Sequence, residues 1–155
     1  MADKRISYEF GTDYRLIGIA ASLREYKLCF HLNGLLGCDF RKLKDLVFEP
    51  KDRGRSVQFS VFKAGDETTP HQYLIFANKN LGEALLPEVS NYDYLLQIFG
   101  RQPDDDLKDL LDGIRAFPEV VMATEIPLKK VKSKDRLIYE EEKPVQKLIN
   151  RKKLK

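Results

Sequence analysis

Apolar residues recur at helical spacing in the second half of the chain, at Leu107, Leu110, Leu111 and Ile114. Pro103 and three aspartates at 104–106 precede this stripe, and acidic side chains are favourable at the positive end of a helix dipole. Pro118 follows the stripe and cannot continue a helix. The pattern therefore predicts an amphipathic helix that opens at Pro103 and ends before Pro118.

A second helix is predicted over residues 23–36. Ser22 and Glu25 have the S-x-x-E spacing of a capping box, in which each side chain bonds a free backbone N–H of the first turn. Gly37 is a natural stop, because glycine readily adopts the left-handed conformation that ends many helices. The stripe that indicates this helix is formed by Leu23, Tyr26 and Phe30, and Asn33 and Gly34 continue the same spacing.

Short β-rich runs separated by turn residues indicate a set of strands. The predicted strands are KRISYEF (4–10), LVFE (46–49), SVQFSVFK (56–63), HQYLIFAN (71–78), YLLQIFG (94–100), VVMATEI (120–126) and a short closing strand near DRLIY (135–139). HQYLIFAN is apolar on both faces, which predicts a central position in the sheet. Residues 13–22 leave two alternatives open, a short helix capped by Asp13 or a buried strand.

These elements predict an α+β fold, a mostly antiparallel sheet of about six strands with two main helices packed on it. The strand–helix–strand order over 94–126 is a unit found in ferredoxin-like sheets, so the second half of the chain is expected to resemble that arrangement. A single domain is expected over 1–139. The charged C-terminal segment 140–155 is either a short helix that starts near Pro144 or disordered.

The composition, with 43% hydrophobic and 33% charged residues, is that of an ordinary globular protein. The longest apolar runs are far too short to span a bilayer, and the N-terminal residues contain no apolar signal segment. Cys29 and Cys38 fit no metal-binding spacing and are expected to stay reduced. These features predict a cytoplasmic protein that does not associate with a membrane.

The charge is unevenly distributed, since residues 127–155 hold 11 of the 27 basic residues but only 4 of the 24 acidic ones. A basic end of this kind either contacts the phosphates of a nucleic acid or keeps the protein soluble. The segment has few aromatic side chains on which bases could stack, which favours the second alternative. The residues that would contact a nucleic acid are Lys129, Lys130, Lys132, Arg136, Arg151, Lys152 and Lys153.

The stretch LPEVSNYDY at 86–94 contains two carboxylates, Glu88 and Asp93. If the fold brings them together, such a pair could transfer protons or hold a hard cation. The alternative is a scaffold, because Pro87 restricts the residue before it and turn-forming residues follow. A similar tetrapeptide, FPEV at 117–120, also precedes a predicted strand, which favours the scaffold. The motif residues in question are Pro87, Glu88, Asp93 and Tyr94.

The same stretch resembles the motif that names the IPExxxVDY family of small bacterial proteins. Leu86 and Tyr92 replace the isoleucine and valine of that motif, whereas its Pro-Glu and Asp-Tyr pairs are present. The segments LIGIA, REYKLCFHLN and FPEVVMATEI are similar to the family as well, so the resemblance covers roughly residues 3–139. It implies a cytoplasmic bacterial protein of unknown function and supplies no active site.

The remaining residues assemble no catalytic constellation. Three consecutive aspartates at 104–106 cannot all face one ion, and Cys29 and His31 point about 200° apart on a helix, which favours a partly buried structural histidine. The motifs of nucleotide-binding loops, serine hydrolases and zinc proteases do not occur in the sequence. We therefore expect no metal and no cofactor.

The preferred interpretation is a non-enzymatic binding or regulatory domain that acts through protein–protein contacts. Self-association as a homodimer, through a sheet edge or a helix face, is one contact of this kind. The alternative is an RNA-associated protein that uses its basic C-terminal end on phosphates.

Overall fold

Ten short strands and two helices of 12 residues form the regular structure of residues 14–49 and 54–139, the part of the chain that the computed structural model describes. The strands are β1 (Tyr14–Ala21), β2 (Arg41–Lys42), β3 (Leu46–Phe48), β4 (Val57–Phe59), β5 (Val61–Ala64), β6 (Gln72–Ala77), β7 (Lys79–Asn80), β8 (Glu83–Ala84), β9 (Tyr94–Phe99) and β10 (Val120–Glu125). The helices are α1 (Glu25–Leu36) and α2 (Asp104–Arg115), and 3-10 turns cover Pro87–Val89, Leu128–Lys130 and Lys134–Leu137.

Six of these strands form one antiparallel sheet in the order β10-β1-β9-β6-β5-β2. β3 pairs with β4, and β7 pairs with β8, in two separate ribbons. β1, which precedes α1, and β6, which follows it later in the chain, are parallel, and β9 lies between them. β9 and β10, the strands before and after α2, are also parallel, and β1 lies between them. This is the split β-α-β arrangement of ferredoxin-like sheets. The predicted α+β class, the six-stranded sheet and the internal position of HQYLIFAN (β6) are confirmed.

Side chains alternate across the main sheet and bury two separate clusters, one on each face. The first face is covered by the helices, whose buried residues are Leu28, Cys29 and Leu32 from α1 and Leu107, Leu110 and Ile114 from α2. The second face is covered by β4 and by apolar residues between 85 and 137, among them Leu85, Leu86, Val131 and Leu137. The central strands are therefore buried on both faces, and β9 is buried along its whole length.

α1 begins two residues later than predicted, and the capping box does not form. Arg24 is the N-cap residue, and no side chain bonds the first turn. The backbone N–H of Ser22 instead donates to Glu119 O at 3.1 Å, and Leu23 O accepts a bond from the Tyr94 hydroxyl at 2.7 Å. These long-range bonds hold the chain in the connection between β1 and α1, so tertiary contacts override the local capping signal.

One predicted strand is divided in two, and another is wrong. The run 56–63 breaks at Ser60 into β4 and β5, which belong to different sheets, and Ser60 O accepts a bond from Ala77 N at 2.9 Å. DRLIY is not a strand: a 3-10 turn covers Lys134–Leu137, and Leu137 is buried against the second face. The alternative left open at 13–22 is resolved as the strand β1.

Two predicted segments, the strand at 4–10 and the charged end at 140–155, lie outside the described residues. No helix within 14–49 and 54–139 has the length and apolar character needed to cross a membrane.

Candidate functional site

The motif stretch at 86–94 connects β8 to β9 through a single 3-10 turn, Pro87–Val89. Leu86 has an extended backbone, with φ −115° and ψ 96°, as expected for a residue before proline. β9 begins at the last motif residue, Tyr94. The motif therefore lies where the scaffold interpretation expected it, in the turn that leads into this strand.

Asn78, which follows β6, holds this turn with a fully buried side chain. Its Nδ2 donates to Val89 O at 3.0 Å and to Tyr92 O at 2.9 Å, and its Oδ1 accepts from Leu86 N at 2.9 Å. Sequence reasoning did not single out this residue. The available signal was the asparagine that ends the apolar run HQYLIFAN, since asparagine is a turn former.

The two carboxylates of the motif contact different parts of the fold. Asp93 Oδ2 accepts from the backbone N–H of Ala21 at 2.9 Å, and its Oδ1 lies 3.3 Å from Lys79 Nζ. Glu88 Oε2 accepts from the Ser133 hydroxyl at 3.0 Å. Asp93 thus ties β9 to the end of β1, while Glu88 contacts Ser133 in the segment after β10. Both carboxylates contact groups of the fold itself, and their assignment as scaffold or ligand site stays a prediction.

The two tyrosines of the motif also contact the fold. The Tyr94 hydroxyl donates to Leu23 O at 2.7 Å, and burial, followed by nearby carboxylates, raises the pKa of Tyr94 to about 12. The Tyr92 and Thr124 hydroxyls share a hydrogen bond of 2.6 Å. A Cβ at Gly18 would lie 2.6 Å from the Tyr92 ring, so the glycine permits close packing of this ring on β1.

An open groove of about 600 Å³ lies beside the turn. Its lining residues include Phe48, Pro87, Ser90 and Arg136. Arg136, one of the predicted nucleic-acid contacts, has its guanidinium carbon 4.0 Å from the centre of the Phe48 ring and donates to Leu85 O at 2.9 Å. Its guanidinium therefore already packs the turn Lys134–Leu137 against the groove.

The other predicted nucleic-acid contacts divide into two groups. Lys129, Lys130 and Lys132 are exposed on the segment after β10. Val131, between them, is only 2% exposed and fixes this segment to the second face of the sheet. Arg151, Lys152 and Lys153 lie outside the described residues.

Cys29 and His31 do not form a nucleophile–base pair. The Cys29 thiol is buried among apolar side chains, and this burial raises its pKa to about 12. The His31 ring stacks on Phe117 at 4.6 Å between centroids, and its Nε2 lies 3.7 Å from a Glu119 oxygen. His31 is thus a partly buried structural residue, as predicted. Within the described ranges, no group of three His, Cys, Asp or Glu side chains is arranged to hold a metal ion.

The outer face of α1 carries two exposed aromatic side chains. Tyr26 is 70% exposed and Phe30 is 73% exposed, and they lie one helical turn apart. The stripe that predicted this helix is therefore not its buried face, which is formed instead by Leu28, Cys29 and Leu32. Exposed aromatic residues of this kind are a candidate protein-binding surface.

The chain matches no protein-family model and none of the curated proteins compared with it. The resemblance to the IPExxxVDY family, which depends mainly on the motif at 86–94, stays a prediction.

Proposed function

We propose that this protein is a non-enzymatic binding domain that acts through protein–protein contacts made by the outer face of α1. The observation that carries this proposal is the exposure of Tyr26 and Phe30, two aromatic side chains one turn apart on a helix whose other face lies in the core. Aromatic residues are enriched at the energetic centres of protein interfaces.

α2 provides a comparison within the same fold. Both helices have 12 residues and pack on the same face of the sheet. The exposed residues of α2 include Asp105, Lys108, Asp109 and Asp112, the charged surface that is ordinary for a helix facing water. α1 exposes aromatic rings instead, although its position in the fold requires no apolar residue on that side.

The free energy available from covering this face is large enough for binding. Each aromatic side chain buries about 150–250 Å² when covered completely. Tyr26 and Phe30 expose 70% and 73% of their surface. At about 25 cal/mol per Å², covering both would be worth about 5–9 kcal/mol before the entropic cost of association is subtracted.

Capture of binding partners from cells that make the protein tests this proposal. The full chain and its Phe30→Ser variant serve as baits, and partners are quantified in each. Because Phe30 is exposed, the substitution should leave the melting temperature unchanged, while partners that bind α1 should decrease about tenfold or more.

Leu81→Ser is the matched control, since Leu81 is another exposed apolar side chain, 64% accessible, in the β7–β8 hairpin. This variant should capture the same partners as the unmodified chain. Equal capture by all three baits would contradict the role of α1.

An RNA-associated function is the second candidate, and the lysines after β10 favour it. Four exposed lysines surround the buried Val131, so their backbone is held in place: Lys129, Lys130, Lys132 and Lys134. If they contact phosphates, the affinity for a single-stranded RNA should fall steeply as salt rises, and replacing the lysines by glutamine should reduce that slope. An absence of binding at low salt would rule this candidate out.

A further inference from the structure

α1 contains a glycine, Gly34, that no contact in the described part of the chain requires. Glycine favours a helix less than alanine does, and a Cβ built at Gly34, in the last turn of α1, meets no atom within 4 Å outside the backbone of its own helix. Gly113 in α2 shows the contrast, since a Cβ there would lie 2.7 Å from the Leu35 side chain of α1. Gly113 allows the two helices to approach each other. Gly34 has no such neighbour.

The outer face of α1 carries two protruding side chains followed by two gaps. Tyr26 and Phe30 protrude, while Gly34 and Gly37 are exposed and have open space where a Cβ would lie. Phe30 and Gly34 are four residues apart, so they lie on the same side of the helix and about 6 Å apart along its axis. The protrusions and the gaps therefore follow one another along the same face.

We propose that the partner of this face is a second copy of the chain, bound with the two α1 helices antiparallel about a two-fold axis. When the axis lies level with position 32, Phe30 of each copy lies over Gly34 of the other. Tyr26 then lies over the turn at Gly37 and Cys38. The same two-fold rotation thus places rings of one copy over Gly34 and over Gly37 of the other. Such self-complementarity is the condition for a closed dimer with identical contacts on both sides. The inference rests on the proposed function, because it assigns a partner to the same face.

Charge at the ends of α1 supports the antiparallel arrangement. Arg24 is exposed at the N-terminal end, and Asp39, whose side chain is 68% exposed, lies just beyond the C-terminal end. The proposed axis places Arg24 of one copy beside Asp39 of the other. Asp39 already contacts Arg41 at 3.1 Å, and a carboxylate has room for a second cationic partner. The positive end of each helix dipole would also lie beside the negative end of the other.

The size of the contact indicates a reversible dimer. Four aromatic rings would form its centre, and each exposes at least 70% of its surface in the single chain. Covering them would bury about 400–700 Å² from the rings alone, compared with about 1,200 Å² or more for an interface of standard size. We therefore expect a dissociation constant in the micromolar range.

Sedimentation equilibrium of the full chain, from about 1 to 200 µM, tests the dimer. The unmodified chain should pass from monomer to dimer over this range. Phe30→Ser should weaken the dimer by about tenfold or more, because it removes two central rings from each dimer. Leu81→Ser, the matched exposed control, should dimerise like the unmodified chain.

Gly34→Ala and Gly34→Gln separate the proposal from a purely structural role of the glycine. Both residues favour a helix more than glycine does, so each variant should raise the melting temperature at concentrations where the chain is monomeric. Both fill the gap that receives Phe30, so each should weaken the dimer, with glutamine having the larger effect. Stability and association are thus expected to change in opposite directions.

Three results would overturn the inference. The first is that the unmodified chain stays monomeric over the whole concentration range. The second is that neither Phe30→Ser nor Gly34→Gln weakens the dimer. The third is that Leu81→Ser weakens the dimer as much as Phe30→Ser does. The proposed function is judged separately: if the chain stays monomeric but captures another protein in a Phe30-dependent way, the protein-binding role holds and only the second copy is wrong.

Discussion

Replacing Asn78 by alanine should strongly destabilise the fold, because three hydrogen bonds depend on this fully buried side chain. It donates to Val89 O and Tyr92 O and accepts from Leu86 N, all at 2.9–3.0 Å. The two bonds donated to carbonyls contribute about 1 kcal/mol each, and the buried Leu86 N–H left without a partner costs about 1–3 kcal/mol. We therefore expect the free energy of unfolding to fall by about 3–5 kcal/mol.

Urea unfolding followed by far-UV circular dichroism measures this loss, since the chain contains no tryptophan for a fluorescence assay. The transition midpoint should fall while its slope stays unchanged, which indicates a change in stability alone. In a chain of this length, the same loss should lower the melting temperature by about 10 °C. Asn78→Asp, which keeps the size but turns a carboxylate toward two carbonyls, should be at least as destabilising.

Asn80→Ala is the matched control, because it removes the same side chain two residues further along. Asn80 Nδ2 donates to Gln58 O at 2.6 Å, but this bond is exposed. Water can replace the lost partner, so the expected change is below about 1 kcal/mol. Equal effects at Asn78 and Asn80, or a loss below 1 kcal/mol or so at Asn78, would refute the conclusion that a buried amide holds the motif turn.

Three further measurements test other parts of the structure. Leu81 has a left-handed φ of 52° in the β7–β8 turn, a conformation that asparagine adopts more readily than leucine. Leu81→Asn should therefore raise the free energy of unfolding in urea by about 1 kcal/mol, and a decrease would contradict this. Asp93→Asn weakens a bond to β1 and should lower the free energy of unfolding by about 1 kcal/mol in the same assay. Glu88→Gln should lower it by less than about 0.5 kcal/mol, and the reverse order would argue against the scaffold. Burial raises the pKa of Cys29 from 9.0 to about 12, so the unfolded thiol ionises first. The free energy of unfolding should therefore fall as pH rises above 9.0, and it should fall less steeply in the Cys29→Ala variant than in the unmodified chain. Parallel pH profiles of the two proteins would contradict this.

Local sequence pattern predicts the existence of both helices but the buried face of only one. α2 has an acidic first turn, one apolar stripe and a proline after its end, and all three signals agree. α1 is apolar on two sides, so the stripe through Tyr26 and Phe30 is as regular as the one through Leu28 and Leu32. Only packing on the sheet decides between two such stripes, and that information is not local.

The motif at 86–94 shows a similar division. Its role as a turn that leads into a strand follows from Pro87 and the turn formers after it. Its dependence on Asn78 does not follow, because the three partners of that side chain are 8–14 residues away and belong to a different element. The same reason explains the failed capping box, since Ser22 is bonded to Glu119 across the fold.

The two edges of the main sheet explain why a helix face is the better surface for association. The β2 edge consists of Arg41 and Lys42, and a short, basic edge resists pairing with another strand. The β10 edge skips Val121 in its register with β1, and such a bulge disrupts the ladder that a second copy would extend. Glu125, at the end of the same strand, is bonded to Arg15 at 2.9 Å. Both edges thus carry features that prevent continuation of the sheet, whereas the rings and the glycine on α1 favour close contact with another helix.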